Sequence, residues 1–187
     1  MKILTLDKNK ITDFAKERNL MIEKCSDDWV LFLDTDEKLD GKLQITNFDN
    51  NAYYLKRKNY FLGQYVGTDK IIRLVKKGTG KWVRAVHEIW VPNISDSRCG
   101  TLDSPVVIHN TADNLISYLK KIDNYSTLHA KENKKEGKKS TIVKIIFFPF
   151  GKFIVTLIKS RNVVFSIMQS LHSYLSWTKM YFRTEQN

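Results

Sequence analysis

Two aspartates stand at the end of a short apolar segment, at a spacing that suits metal binding. Residues 29–33 form an uninterrupted apolar run, which ends in Asp34 and Asp36 with Thr35 between them. Hard cations such as Mg²⁺ and Mn²⁺ prefer oxygen ligands and usually take one or two carboxylates together with substrate phosphates. The pair therefore predicts a site for a divalent cation, with an ordinary acidic exit from a strand as the alternative.

Two histidines stand where they could take part in chemistry. His87 precedes Glu88, and a carboxylate beside an imidazole suits general base catalysis. The alternative for this pair is a strand end with one partner exposed. His109 follows an apolar run at 105–108, so its ring nitrogen could complete a metal shell begun by Asp36. The alternative for His109 is a structural role, which is commoner for a single histidine.

Two arginines occur within otherwise apolar patterns. Arg18 falls in the apolar stripe of a predicted helix, where it either reaches solvent along its aliphatic stem or faces a buried anion. Arg73 alternates with Ile72 and Leu74 in a predicted strand, so its side chain is positioned rather than simply solvated. Because a guanidinium can bind an anion through two parallel hydrogen bonds, Arg73 suits a phosphate.

Alternating elements must place these side chains. The spacing of apolar residues predicts a helix over 13–25, and the run at 29–33 predicts a central parallel strand covered on both faces. In open α/β sheets, ligands bind beyond the carboxyl ends of the strands, where Asp34 and Asp36 fall. The remaining predicted elements are strands at 52–58, 70–75, 82–91 and 105–108, a helix from about 114 to 130, and a lysine-rich linker at 131–139.

Charge is unevenly distributed along the 187 residues, whose formal net charge is +11. Residues 115–187 hold 13 Lys and Arg against 4 Asp and Glu, and they are also rich in large apolar side chains. A basic and apolar segment favours an anionic membrane surface over nucleic acid. Nucleic-acid binding is further disfavoured because the chain lacks a recognition helix or basic strands with interleaved aromatics.

The apolar stretches of this tail predict helices that lie in the membrane interface. Residues 142–158 and 163–182 both contain charged or polar residues, so neither is a clean transmembrane segment, although a re-entrant hairpin is an alternative. The same helices could pair with a second copy of the chain. The start of the sequence has no signal-peptide core, so we expect a cytoplasmic protein, peripheral on the inner face of the cell membrane.

The order of several motifs resembles the family 2 glycosyltransferases. Residues 13–19 are similar to the Ala-Arg-Asn-type helix of that family, and residues 28–37 are similar to its strand ending in Asp-x-Asp-Glu. Further segments resemble the bacterial lipopolysaccharide-core-type branch: 57–63, 72–75, 80–83, 86–88, 109 with 117–121, and, in the tail, 148–150, 152–154 and 173–175.

This resemblance implies an α/β fold with a partial Rossmann-like sheet of the nucleotide-diphospho-sugar transferase (glycosyltransferase A) type and C-terminal amphipathic helices. The implied domains are an incomplete catalytic domain at 1–130, the basic linker at 131–139 and a membrane-associating helical tail at 140–187. The family's first strands, which bind the base and ribose, have no counterpart in this sequence. We therefore expect the chain alone to bind a nucleotide poorly.

The resemblance also implies a reaction. A hexosyl- or heptosyl-type sugar would pass from a nucleotide-sugar donor to a cell-envelope glycan or lipid-linked acceptor, with inversion and with Mn²⁺ or Mg²⁺ as cofactor. Asp34 and Asp36 match the family's metal and diphosphate motif, and Arg18 matches an arginine near the nucleotide, where Arg73 would join it. Glu88 with His87 matches the acceptor-side base. The alternative function is a non-catalytic module at the membrane surface.

Overall fold

The computed structural model describes residues 1–7, 11–43, 49–93 and 98–182. Its contacts divide the chain into two compact units. The first consists of Met1–Asn59 and Thr68–Asn110, and the second consists of Tyr60–Gly67 and the residues from Thr111 onward. Each unit is thus made of two separate stretches of chain.

The first unit begins with a parallel β-α-β motif. Strand β1 (Lys2–Leu6) and strand β2 (Trp29–Asp34) pair in parallel and are joined by helix α1 (Phe14–Lys24). The carboxylate of Asp13 caps α1 by accepting a hydrogen bond from the backbone N–H of Lys16 at 2.9 Å, which satisfies one of the free donors at the helix start. The predicted helix and the predicted buried strand are therefore both present.

The remaining strands complete a mixed sheet. They are β3 (Glu37–Asp40), β4 (Ala52–Phe61), β5 (Gln64–Lys76) and β8 (Cys99–Ala112), and the six-stranded order is β1-β2-β5-β4-β8-β3. Strands β6 (Gly80–Val83) and β7 (Ile89–Pro92) form a separate two-stranded sheet. The α/β class is confirmed, but β2 is parallel only to β1, because its other neighbour, β5, runs antiparallel.

Strand β2 is buried on both faces because its side chains alternate between two apolar clusters. Val30 and Phe32 join one cluster, and Trp29 and Leu31 join the other. The first cluster includes Ala15, Ile22, Cys25, Ala52, Val75, Trp82 and Trp90, and the second includes Tyr53, Leu55, Leu74 and Val107. The strand that carries Asp34 at its end is therefore fixed by packing on both sides.

The second unit contains three long helices, α2 (Leu115–Lys135), α3 (Ile142–Ser160) and α4 (Val163–Tyr181). Helix α2 begins where predicted, at the Asn114 cap, but continues to Lys135, so the first part of the segment predicted as a linker is helical. The contact division also groups α2 with the C-terminal helices, whereas the sequence assigned residues up to 130 to the catalytic domain.

A hairpin tip belongs to the same unit as these helices. Leu62 and Gly63 join β4 to β5 with φ angles of 49° and 77°, the left-handed values that a tight two-residue hairpin requires. Phe61 and Val66, on either side of this turn, pack with Tyr118 of α2. Burial raises the pKa of Tyr118 to about 12, although its hydroxyl accepts a hydrogen bond from Gln169.

None of the helices in the described part of the chain combines the length and apolarity needed to cross a bilayer.

Candidate active site

The carboxylate of Asp34 is held by two arginines at the end of β2. Its Oδ1 accepts a hydrogen bond from Nη2 of Arg18 at 2.8 Å, and its Oδ2 accepts one from Nη2 of Arg73, also at 2.8 Å. The exposed fractions of Asp34 and Arg18 are 3% and 0%. Arg18 thus faces a buried anion, and its guanidinium also lies 5.1 Å from the ring centroid of Phe32.

Glu37 extends this buried network from the start of β3. Its Oε2 accepts hydrogen bonds from the backbone N–H of Asp34 and from Nε of Arg73, both at 3.1 Å, and its Oε1 accepts one from Nη2 of Arg73 at 2.7 Å. Burial alone would raise the pKa of the Glu37 carboxyl, but the charge of Arg73 holds it below its ordinary value. The carboxylates of Asp34 and Glu37 in turn keep the pKa of Arg73 above its ordinary value despite burial.

Arg18 also joins Glu88 to the network. Its Nε and Nη2 both approach Oε1 of Glu88, at 3.0 and 2.9 Å. The side chain of Glu88 is 16% exposed, so this carboxylate is reached both by a buried guanidinium and by solvent. The structure therefore brings together four of the residues selected from the sequence, namely Arg18, Asp34, Arg73 and Glu88.

The loop that carries Glu88 has an unusual backbone. Arg84 and His87 both have left-handed φ angles, 74° and 53°, which non-glycine residues adopt rarely and which often mark functional loops. The loop is anchored on α1, because the carbonyl of Ala85 accepts a hydrogen bond from the N–H of Phe14 at 2.9 Å. His87 itself is exposed beside Glu88.

Asp36 and His109 form a second, more accessible pair. Strands β3 and β8 place Glu37 opposite His109, and the N–H of Asn110 donates to the carbonyl of Asp36 at 3.0 Å. This pairing brings Oδ2 of Asp36 to 3.3 Å from Nε2 of His109. Asp36 lies in the turn between β2 and β3, and its side chain is 22% exposed, whereas the side chain of Asp34 is 4% exposed.

A chain of polar contacts fixes the orientation of the His109 ring. Nδ2 of Asn59 donates to Oδ1 of Asp69 at 3.3 Å, so the amide oxygen of Asn59 is the atom 2.7 Å from Nδ1 of His109. An amide oxygen only accepts, so Nδ1 of His109 carries a proton, and Nε2 is the ring nitrogen that faces Asp36. Burial alone would raise the pKa of Asp69, but hydrogen bonds and charge from Arg57 hold it below its ordinary value.

The carboxylate and imidazole of this pair are suitable donors for a divalent cation. The 3.3 Å between Oδ2 of Asp36 and Nε2 of His109 is a hydrogen-bonding distance, and it is also close to the roughly 3 Å that separates adjacent ligands of an octahedral ion. A hydrogen bond to the opposite ring nitrogen is also a common way of fixing a metal-binding histidine. Among the described residues, no three His, Cys, Asp or Glu side chains cluster around one metal position, so Asp36 and His109 would supply two ligands at most.

Sequence patterns did not point to Asn59 or Asp69 as members of the site, and they included Glu37 only as part of the acidic run that ends β2. Glu37 follows Asp36 directly, so the acidic run contained a signal that it could share the role of its neighbours. Asn59 and Asp69 stand in strands β4 and β5 with no local pattern around them, and only the pairing of those strands brings them together. The roles predicted for the individual site residues stay predictions.

The fold and site define an α/β protein with carboxylate, arginine and imidazole side chains around the end of a buried strand. No family model matches the chain. Over 152 residues it is 27% identical to the lipopolysaccharide core biosynthesis glycosyltransferase LpsC of Rhizobium meliloti (strain 1021). The match covers 73% of this chain and 54% of that protein, so the chain spans about half the length of the curated relative it matches. The similarity supports a relationship to a glycosyltransferase.

Proposed function

We propose that this chain carries part of the catalytic machinery of a family 2 glycosyltransferase. It would transfer a hexosyl- or heptosyl-type sugar from a nucleotide-sugar donor to a cell-envelope glycan or lipid-linked acceptor, with inversion at the anomeric carbon. The observation that carries the proposal is the similarity to a lipopolysaccharide core glycosyltransferase over most of the chain. The pairing of Asp36 with His109 next to the carboxyl end of β2 supports it.

Asp36 and His109 would hold a divalent cation, Mn²⁺ or Mg²⁺. The cation, when bound, would neutralise charge on the leaving diphosphate. Because Oδ1 and Oδ2 of Asp34 are both engaged by arginines, Asp34 would act mainly by fixing the end of β2 from which Asp36 projects. Arg18 and Arg73 would contribute to donor binding through this same arrangement, by holding Asp34 in place.

Glu88 is the candidate general base. Its partly exposed carboxylate would accept the proton of the acceptor hydroxyl while that oxygen attacks the anomeric carbon and the nucleoside diphosphate leaves from the opposite side. Arg18 fixes Oε1 of Glu88, and the loop of Glu88 is anchored on α1 at Ala85. His87, exposed beside Glu88, would line the acceptor side.

A site with two protein ligands makes a specific prediction about metal affinity. Mg²⁺ and Mn²⁺ held by so few side chains depend on substrate phosphates for further ligands. Mn²⁺ should therefore bind weakly to the protein alone and more tightly when UDP is present, which calorimetric titration of Mn²⁺ with and without UDP can measure. Asp36→Asn and His109→Ala should abolish this enhancement. Asp103→Asn, which removes an exposed carboxylate elsewhere on β8, should preserve it.

Catalysis is tested by Mn²⁺-dependent release of UDP from a panel of UDP-sugars. Glu88→Gln should lower the rate without weakening Mn²⁺–UDP binding, because the base acts on the acceptor. Equal UDP release by the unmodified protein and Asp36→Asn would contradict the metal assignment. Because we expect the chain alone to bind a nucleotide poorly, UDP is supplied in large excess. A Mn²⁺ affinity that this excess leaves unchanged in the unmodified protein would contradict donor binding by this chain and favour a non-catalytic role.

A further inference from the structure

Helix α3 exposes a continuous apolar stripe. At 100° per residue its exposed members fall within about one third of the helix circumference. They are Val143, Ile146, Phe147, Phe150, Ile154 and Ile158, with exposed fractions between 40% and 72%. Single exposed apolar side chains are common, but a contiguous row of this length marks an interaction surface.

A different face of α3 packs within its own unit. Pro149 and Thr156, which lie outside the stripe on the helix circumference, are buried. The hydroxyl of Ser170 on α4 donates to the carbonyl of Pro149 at 2.9 Å, and Phe148 makes an edge-to-face contact with Trp177 at 5.0 Å between ring centroids. The stripe is therefore additional to the face by which α3 and α4 hold each other.

The surroundings of the stripe are basic. No Asp or Glu occurs from Gly137 to Phe182, while this stretch contains seven Lys and Arg: Lys138, Lys139, Lys144, Lys152, Lys159, Arg161 and Lys179. Lys144 lies about 40° beyond the edge of the stripe, whereas the exposed Lys152 and Lys159 lie on the opposite side of α3. Arg161 is exposed at the end of the helix. A helix with an apolar face and a lysine-bearing polar face is typical of segments that lie in a membrane interface.

We propose that the α3 stripe docks into the surface of an anionic lipid bilayer, with the helix axis parallel to the membrane plane. Charge complementarity favours this occupant, because anionic headgroups would neutralise the lysines while the acyl-chain boundary takes up the Phe and Ile side chains. A second copy of the chain would instead bring together two α3 helices that each carry three lysines and no acidic residue, so like charges would oppose the contact. The proposal does not depend on glycosyl transfer.

Two isoleucines of the second unit provide a matched test. Ile158 lies on the stripe and Ile116 lies on α2, and their exposed fractions are 72% and 71%. Each is changed to Glu, and binding of the whole chain to vesicles is measured by co-sedimentation. The vesicles consist of phosphatidylcholine with about one third phosphatidylglycerol, or of phosphatidylcholine alone. Ile158→Glu should weaken binding to the anionic vesicles by about tenfold or more, while Ile116→Glu should leave it unchanged.

A stronger variant and a second measurement keep the test decisive. Phe147→Glu combined with Phe150→Glu should weaken binding on the order of a hundredfold, with the circular dichroism spectrum unchanged because both side chains are already exposed. Equal loss in the two isoleucine variants, or equal binding to neutral and anionic vesicles, would overturn the proposal. The proposal would also be overturned if the unmodified protein did not bind vesicles but sedimented as a dimer, and the double variant sedimented as a monomer. That result would assign the stripe to contact with a second copy of the chain.

Discussion

Asp34 and Asp36 are separated by one residue, but their carboxylates lie in different environments. Asp34 is 3% exposed and each of its oxygens accepts a hydrogen bond from a buried arginine. The side chain of Asp36 is 22% exposed, and its Oδ2 faces a histidine nitrogen across 3.3 Å. The comparison teaches that two identical residues of one short motif can have different surroundings, the first in a buried ion-pair network at the strand end and the second beside a histidine at a partly exposed position.

The difference arises from where each aspartate falls in the fold. Asp34 is the last residue of β2 and shares the arginines that cross from α1 and β5, whereas Asp36 lies in the turn before β3. Buried ion pairs give little net stability over apolar packing, but removal of one partner leaves an uncompensated charge and is costly. The two aspartates should therefore respond differently to the same substitution.

Loss of Arg73 should have the largest effect of all, because it disrupts the buried network around Asp34. Arg73→Met leaves Asp34 and Glu37 without their shared cation, and we expect the free energy of unfolding to fall by about 3–5 kcal/mol. Urea unfolding followed by circular dichroism measures this loss. Lys56→Met, which breaks a solvent-exposed ion pair with Asp103, should change stability little. A loss in Arg73→Met no larger than in Lys56→Met would show that the network is not a stabilising unit.

The direct comparison of the two aspartates uses the same isosteric change. Asp34→Asn should lower the free energy of unfolding by about 2 kcal/mol or more, because Arg18 and Arg73 lose a buried counter-charge. Asp36→Asn should cost less than about 1 kcal/mol, because its pair is partly exposed. Parallel urea titrations give both values, and similar losses in the two proteins would contradict the division of roles.

A substitution at Asn59 tests how the His109 ring beside Asp36 is oriented. Asn59→Leu removes the acceptor for Nδ1 of His109, so we expect Mn²⁺ to bind about 10–100-fold more weakly in the presence of UDP. The tautomer can be measured without metal by ¹⁵N NMR at alkaline pH, with exposed His87 as the internal reference. The unmodified protein should show a proton on Nδ1 of His109, and Asn59→Leu should show a mixture. A proton on Nε2 in the unmodified protein would contradict the orientation described for this ring.

The last prediction concerns the pH dependence of stability. The pKa of Glu37 lies below its ordinary value of 4.5, so its ionised form stabilises the fold at higher pH. This contribution is complete above 4.5 and is lost as the pH falls through the lower folded-state pKa. Glu37→Gln should therefore be less stable than the unmodified protein near pH 7, and the two unfolding free energies should converge on acidification. A difference that stays constant from neutral to acidic pH would contradict the depressed pKa.

Local patterns were sufficient to predict several elements of the fold. The apolar spacing over 13–25, the apolar run at 29–33 and the helix predicted from about 114 each correspond to an element that was found. The placement of Asp34 and Asp36 at a strand end was predictable for the same reason. The C-terminal helices were predicted from the apolar stretches of the tail and from the family resemblance.

The partners within the site were not predictable, because they are distant in the sequence. Arg18 meets Glu88 across 70 positions, and Arg73 meets Asp34 across 39. Spacing along the chain identifies a buried arginine but not the carboxylate it will bind, which depends on how the strands pair. The sequence also did not predict that α2 belongs to the same compact unit as α3 and α4. An apolar helix face does not show which distant segment, here the β4–β5 hairpin tip, will pack against it.

The hairpin tip at Leu62 and Gly63 sets a rule for recombining this protein with others. Phe61 and Val66 share one apolar cluster with Tyr118 and Ile122, so the helical unit has a contributor from a distant part of the chain. A chimera that exchanged only the residues from Thr111 onward would place foreign helices against a native tip. An interchangeable module must therefore be cut out as two fragments, with Tyr60–Gly67 transplanted together with the helices.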